Sequence, residues 1–254
     1  MEFLALKVNA LNVFKVFKET IGGIPPFLFH NIMFDKLLNI DTRLTLLLNG
    51  SDSAVLDQFA LMATSTTTWM PLALLLLYVI IRGNKWQNVL IVVLGIALAI
   101  TLADQLASGV CKPLVARLRP SQDPSLAHLI DIVGDYRGGR YGFFSSHASN
   151  TCSVATFLML LFRNMTFTFA IYSWTLLNCW TRVYLGVHYV GDLLVGLLWG
   201  AIVGVLVYKL AVKCFNKYAP QDNLNVYNPQ RAQLLVQGIL LTYYSIVMIA
   251  FATA

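Results

Sequence analysis

Residues 72–81 read LALLLLYVII, ten residues without a charge, and they close a longer apolar stretch, Phe59–Ile81, that opens with a Thr/Ser-rich turn. A helix needs about 20 mostly apolar residues to cross a bilayer, and this stretch supplies them. Working outward, five more segments fit the same reading: Val89–Val110, Ala148–Phe162, Met165–Leu185, Leu193–Lys213 and Ala232–Ala252. Ala148–Phe162 is short and must borrow residues from the loop before it. Hydrocarbon offers no hydrogen bonds, so each segment is expected to satisfy its own backbone as a helix.

The composition agrees. Of 254 residues, 57% are hydrophobic and 12% charged, against about 25% charged in an ordinary soluble domain. Mean hydropathy is +0.67. A soluble globule cannot hide that much apolar surface, and disordered, collagen-like and coiled-coil chains fail on the same figures. The expectation is an all-α integral membrane protein, a bundle of six transmembrane helices.

The first 58 residues differ. Lys7, Lys15 and Lys18 interrupt the first apolar run, Pro25-Pro26 breaks it, and Asp35–Leu48 mixes apolar residues with Asp35, Lys36, Asp41 and Arg43. They read as two amphipathic helices lying in the interface. The expected organisation is 1–58 interfacial, 59–213 a catalytic membrane domain, 214–231 a cytoplasmic loop and 232–254 a last spanning helix. Cys111, Cys152, Cys179 and Cys214 form no C-x-x-C pair and read as small hydrophobes.

Chemistry gathers on one side of the bundle. The second span ends in CKPLVARLRP, with Lys112 and Arg119-Pro120. The third opens with FFSSHASN, with Ser145, Ser146 and His147. The fourth ends in TRVYLGVHYVGD, with Thr181-Arg182, His188 and Asp192. Three cations can hold three phosphoryl oxygens, two histidines can serve as nucleophile and proton donor, and the carboxylate can orient one of them. In a continuous helix Asp192 would lie one turn beyond His188 on the same face. His147 at a helix start would sit where unpaired N–H groups favour an anion. Arg119 and Arg182 suit bidentate phosphate binding, and Lys112 acts as a point charge.

The order K-x6-RP, then Ser-Ser-His, then Thr-Arg-x5-His-x3-Asp resembles the type 2 phosphatidic acid phosphatase (PAP2) family, which shares its site with vanadium haloperoxidases. The family pattern is K-x6-RP, PSGH and SR-x5-H-x3-D. Here Phe144 stands for Pro, Ser146 for Gly and Thr181 for Ser; no titrating or cationic group is lost. The resemblance implies a PAP2/haloperoxidase-like helical bundle. It implies that His188 attacks phosphorus and forms a phosphohistidine, that Asp192 orients it, and that His147 protonates the leaving group and then activates water. It implies that Lys112, Arg119, Ser145, Ser146 and Arg182 hold the phosphoryl oxygens, with no metal and no cofactor. The substrate would be a membrane lipid phosphate or pyrophosphate, such as undecaprenyl diphosphate, lipid A or phosphatidylglycerol phosphate. A lipid phosphotransferase of the same family, or a lipid or anion transporter, is the alternative. Nothing points to nucleic acid.

Taken singly, a Lys or Arg at a membrane-helix end is an ordinary snorkelling anchor; the joint spacing is what argues for chemistry. Arg117, Arg137 and Arg140 match no motif position and read as solvated loop charges. Asp104, inside the second span, reads as a polar floor near Lys112 or a carboxyl satisfied by neighbouring hydroxyls. His128, Asp131 and Asp135 lack a convincing fourth metal ligand. The Thr64–Thr68 run reads as interhelical packing or hydrogen bonding. Orientation follows basic loops. Arg82, Lys85, Arg163, Lys209, Lys213, Lys217 and Arg231 lie on the side away from the motifs. Lys112, Arg117, Arg119, Arg137, Arg140 and Arg182 lie on theirs. Setting aside the three cations that the site explains, the first group is cytoplasmic. The site then faces the periplasm or exterior of a bacterial inner membrane.

Overall fold

A computed structural model describes residues 26–218 and 229–254. The chain separates into two units, Met1–Arg43 and Leu44–Ala254. The helices are α1 (Pro26–Leu48), α2 (Ala54–Thr64), α3 (Met70–Ile81), α4 (Trp86–Asp104), α5 (Lys112–Val115), α6 (Ser146–Phe162), α7 (Met165–Tyr184), α8 (Val190–Tyr218) and α9 (Pro229–Thr253). Among the described residues there is no strand, only a single antiparallel bridge between Leu118 and Tyr141. The all-helical expectation holds.

The N-terminal reading is only partly within view. The first of the two expected amphipathic helices lies outside the described residues. Asp35–Leu48 falls within α1, which opens at Pro26, where proline's fixed φ suits a first helical position.

Among the described residues, three helical stretches are long and apolar enough to cross a membrane: Trp86–Val115, Val190–Tyr218 and Pro229–Thr253. The segment read as one span, Phe59–Ile81, is instead broken. Ala54–Thr64 and Thr66–Ile81 meet at 68°. The cause is local: Ser65 adopts an extended conformation, Thr68 spends its hydroxyl on the Met62 carbonyl at 2.7 Å, and Pro71 restarts the helix in its first turn. The second span runs on without a break through a π-helical turn, Gln105–Cys111, into α5.

The bundle is built around α6, which packs against α4, α7 and α8. Helix α9 covers α2, α3 and α7. The tightest approach is between α6 and α8. Gly196, Gly200 and Gly204 recur every fourth residue on α8, facing Ser145, Ser149 and Ser153. A Cβ at Gly200 would come within 2.4 Å of the Ser149 carbonyl oxygen, and one at Gly196 within 2.6 Å of that of Ser145. Small residues let membrane helices approach until their backbones touch. On the other face of α8, Leu194, Leu198, Ile202, Leu206 and Leu210 are exposed, the distribution expected where the outer solvent is lipid. This packing fixes the start of α6 against the start of α8, and both starts carry site residues.

Candidate active site

Four segments meet at one end of the bundle: the end of α4–α5, the loop 116–145, the start of α6, and the turn 185–189 with the start of α8. The loop returns on itself through the Leu118–Tyr141 bridge, with Gly142 N–H donating to Arg117 O at 2.9 Å and Arg119 N–H to Arg140 O at 3.2 Å. Ser121 N–H donates to Gly186 O at 2.9 Å, which ties the loop to the 185–189 turn. Gly186 has φ +66° and no room for a Cβ, which would lie 2.5 Å from Ile130 Cγ2. The chain leaves α7 there and swings His188 inward.

His188 is therefore outside a helix, contrary to the continuous helix that would place Asp192 one turn further on. The pair forms by another route. Asp192 lies in the first turn of α8, where its Oδ2 accepts the Tyr189 N–H at 3.1 Å, as in the return half of a capping box. The same oxygen stands 3.5 Å from His188 Nδ1, longer than a formed hydrogen bond. Both side chains are almost wholly buried. His188 Nε2 lies 3.5 Å from the Arg119 guanidinium. Burial, and then the charges of Arg119, Arg182 and Lys112, hold the imidazole's pKa well below its ordinary value. The ring is neutral near pH 7, as a nucleophile must be.

Each cation is anchored by neutral oxygens. Arg119 donates through Nε to Tyr141 O at 3.2 Å and through a terminal nitrogen to Val187 O at 3.2 Å. Burial and the nearby Arg182 lower its pKa to about 10. Arg182, 2% exposed, donates to the Thr64 hydroxyl and, at 3.1 Å, to the Tyr136 hydroxyl; its buried Nε has no partner. Lys112 donates to Ser108 Oγ at 3.0 Å and Ser146 Oγ at 3.1 Å. Ser108 in turn donates to Asp104 Oδ1 at 3.1 Å, so Asp104 is both hydroxyl-satisfied and part of the floor beneath Lys112. Among the described residues no carboxylate forms an ion pair with Lys112, Arg119 or Arg182. Buried charges are expensive unless compensated, so buried Arg119 and Arg182 with half-buried Lys112 beside them form a seat for an anion.

Ser145 caps α6, its hydroxyl accepting the Ala148 N–H at 3.4 Å, while its own N–H donates to Asp192 O at 3.1 Å. Ser146 and His147 occupy the first turn of α6. His147 lies within electrostatic reach of Arg182, His188, Arg119 and Lys112. All the motif residues thus converge. The arrangement provides a neutral imidazole beside a carboxylate, a second imidazole at a helix start, and unpaired positive charge for a tetrahedral anion. Those are the parts of a phosphoryl-transfer site.

Arg117 corrects the sequence reading. It is no solvated loop charge: it pairs with Asp192 Oδ1 at 2.9 Å and stacks 3.6 Å from the Tyr189 ring centre. Arg137 and Arg140 are exposed, as expected. Thr64, read as packing or hydrogen-bonding between helices, does the latter with Arg182; that Tyr136, inside a loop, also holds Arg182 had no signal in the sequence. Among the described residues no three His, Cys, Asp or Glu side chains gather as a metal site.

The sequence matches the PAP2 superfamily over residues 88–216. It is 41% identical over 182 residues to a lipid A 4'-phosphatase of Bacteroides thetaiotaomicron, covering 71% of this chain and 81% of that protein. It is 32% identical over 220 residues to a lipid A 4'-phosphatase of Porphyromonas gingivalis, covering 87% and 91%. No solved structure gives a significant match. The chain belongs to the PAP2 superfamily, and it is a membrane phosphatase.

Proposed function

We propose that the protein removes a phosphate from lipid A, or from a closely related lipid phosphate, by way of a phosphohistidine on His188. The observation that carries this reading is the buried, neutral His188 between Asp192 and the carboxylate-free cations Lys112, Arg119 and Arg182. The two relatives support the substrate class. In this scheme His188 Nε2 attacks phosphorus as the bond to the lipid oxygen breaks. The negative charge of the arriving phosphate offsets the cations around His147, which takes up a proton and passes it to that oxygen. Asp192 balances the charge that develops on His188. His147 then takes a proton from water, which attacks the phosphohistidine and releases inorganic phosphate. Lys112, Arg119, Arg182, Ser145 and Ser146 hold the phosphoryl oxygens, supplying the electrostatic stabilisation often assigned to metal ions.

Phosphate release from lipid A in detergent tests it. His188→Ala should lower turnover by at least about 10⁴-fold while the protein remains folded, EDTA should leave the wild-type rate within about twofold, and vanadate should inhibit. Near-normal turnover by His188→Ala, or a loss on chelation restored by Mg²⁺, overturns the mechanism.

We further infer six crossings, with α2 and α3 together as one broken span beside α4, α6, α7, α8 and α9, and residues 59–213 as the catalytic domain. The site end faces the periplasm. The exposed cations of the opposite end support that orientation. A Ser125→Cys variant should be labelled in intact cells by a thiol reagent that cannot cross the inner membrane. Labelling only after lysis reverses it.

A further inference from the structure

We propose that Arg117 is a positioning residue for the reaction, acting through Asp192. It stands outside all three motifs, two residues before Arg119. Its guanidinium meets Asp192 Oδ1 at 2.9 Å, and the two side chains are 21% and 0% exposed. It is the one cation among the described residues in ion-pair contact with that carboxylate, apart from the His188 ring itself.

Two features keep the guanidinium where it is. The Tyr189 ring lies 3.6 Å below it, and Tyr189 is itself buried, its hydroxyl donating to Asp123 Oδ2 at 3.4 Å. The backbone of Arg117 is held as well, its carbonyl accepting the Gly142 N–H at 2.9 Å. The ring that supports Arg117 belongs to the residue next to His188, and its N–H is bound by Asp192 Oδ2 at 3.1 Å.

The consequence is a division of labour between the two carboxylate oxygens. Arg117 occupies Oδ1. Oδ2 is left to the Tyr189 N–H and to His188 Nδ1. A carboxylate with no exposed surface and only one occupied oxygen could rotate away from the histidine, and its charge would lose its charge-assisted hydrogen bond. Arg117 prevents both. Lys112 and Arg119, by contrast, have their donors directed at Ser108, Ser146, Tyr141 and Val187, and stay available to the phosphate. On this account Arg117 acts through Asp192 and not on the substrate.

The inference rests on reading His188 and Asp192 as nucleophile and orienter, and the experiment separates the two. The purified full-length protein is assayed for phosphate release from lipid A in detergent micelles as wild type, Arg117→Gln, Arg117→Lys, Asp192→Asn, the Arg117→Gln/Asp192→Asn double variant and His188→Ala. Loss of a charge-assisted bond to a buried carboxylate should lower kcat of Arg117→Gln by about tenfold to a hundredfold, with KM within about twofold. The same change in the Asp192→Asn background should cost less than about twofold, because the partner is already gone. Arg117→Lys, which keeps the charge but not the planar stack, should fall only about threefold in kcat with KM unchanged, and decides the matter where Arg117→Gln does not fold. Turnover by His188→Ala would bring down the reading of the site itself. With His188→Ala inactive, three results would overturn the role of Arg117: an unchanged kcat, a raised KM, or an equal loss in both backgrounds.

Discussion

Both ends of the bundle are basic, but their cations live in different surroundings. At the far end, Arg82, Lys85, Arg163, Lys209, Lys213 and Lys217 are exposed. Arg82 donates to the Tyr78 hydroxyl and Arg163 to the Tyr208 hydroxyl, each a long side chain laid against an aromatic tip. At the site end, Arg119 and Arg182 are buried and crowd each other and Lys112. The first arrangement leaves each charge open to water and costs little. The second costs free energy until an anion arrives. Charge count alone does not distinguish the two ends; burial without a carboxylate does.

The largest effect expected of any cation breaks this contrast directly. Arg182→Gln should lower kcat/KM by about 10²- to 10³-fold, the usual cost of removing a donor aimed at transferring charge. Arg163→Gln should stay within about twofold. Phosphate release from lipid A by both proteins, checked for folding by thermal denaturation in detergent, measures it. Equal losses would mean that the site-end cations are anchors after all.

A second contrast lies on the two faces of α8. Gly200→Ala places a methyl 2.4 Å from the Ser149 carbonyl oxygen and 2.8 Å from Cys152 Cβ. Overpacking of this kind costs about 1–3 kcal/mol, and here it also pries apart the helix starts that carry His147 and Asp192. Leu198→Ala, on the lipid side, should change stability by no more than about 0.5 kcal/mol. Thermal midpoints of the two variants in one detergent check the difference; a Gly200→Ala protein as stable as wild type would show that α6 and α8 can separate without loss.

The helices were legible because each apolar run is long and bounded, so α4, α6, α7, α8 and α9 lie close to where the sequence puts them. The break at Ser65 was not, because a Thr/Ser-rich stretch inside an apolar run suits a helix and a bend equally until Pro71 and the Thr68 hydroxyl take sides. Residues of the site were readable from motif spacing, yet the spacing misled about geometry. The interval from His188 to Asp192 fits one helical turn, but Gly186 ends α7 first and the contact is made across a helix start. The glycine stripe of α8 could have been found by asking what faces Gly196, Gly200 and Gly204. Arg117 could not, since a loop arginine declares no partner until the loop has folded back.

The smallest expected effect is a shift, and it sharpens the comparison most. Attack requires neutral His188. Burial, followed by the charge of Arg119, holds its pKa well below the ordinary value of 6.5, so protonation of His188 should not limit kcat/KM near or just below neutrality. The enzyme's own acid limb, separated from the ionisation of the substrate, should lie below the usual histidine range. Arg119→Gln removes a positive neighbour from an imidazole 3.5 Å away. The charged form becomes easier to make, the pKa rises toward its ordinary value, and the acid limb moves to higher pH. The lipid phosphate titrates near pH 6 and shapes every profile alike, so the ratio of kcat/KM in Arg119→Gln to that in wild type, taken at each pH on one substrate, isolates the enzyme's own limb. Arg163→Gln should leave the limb in place. A limb that stays put in Arg119→Gln, or moves to lower pH, would mean that the group titrating in the free enzyme is not the histidine that the cations surround.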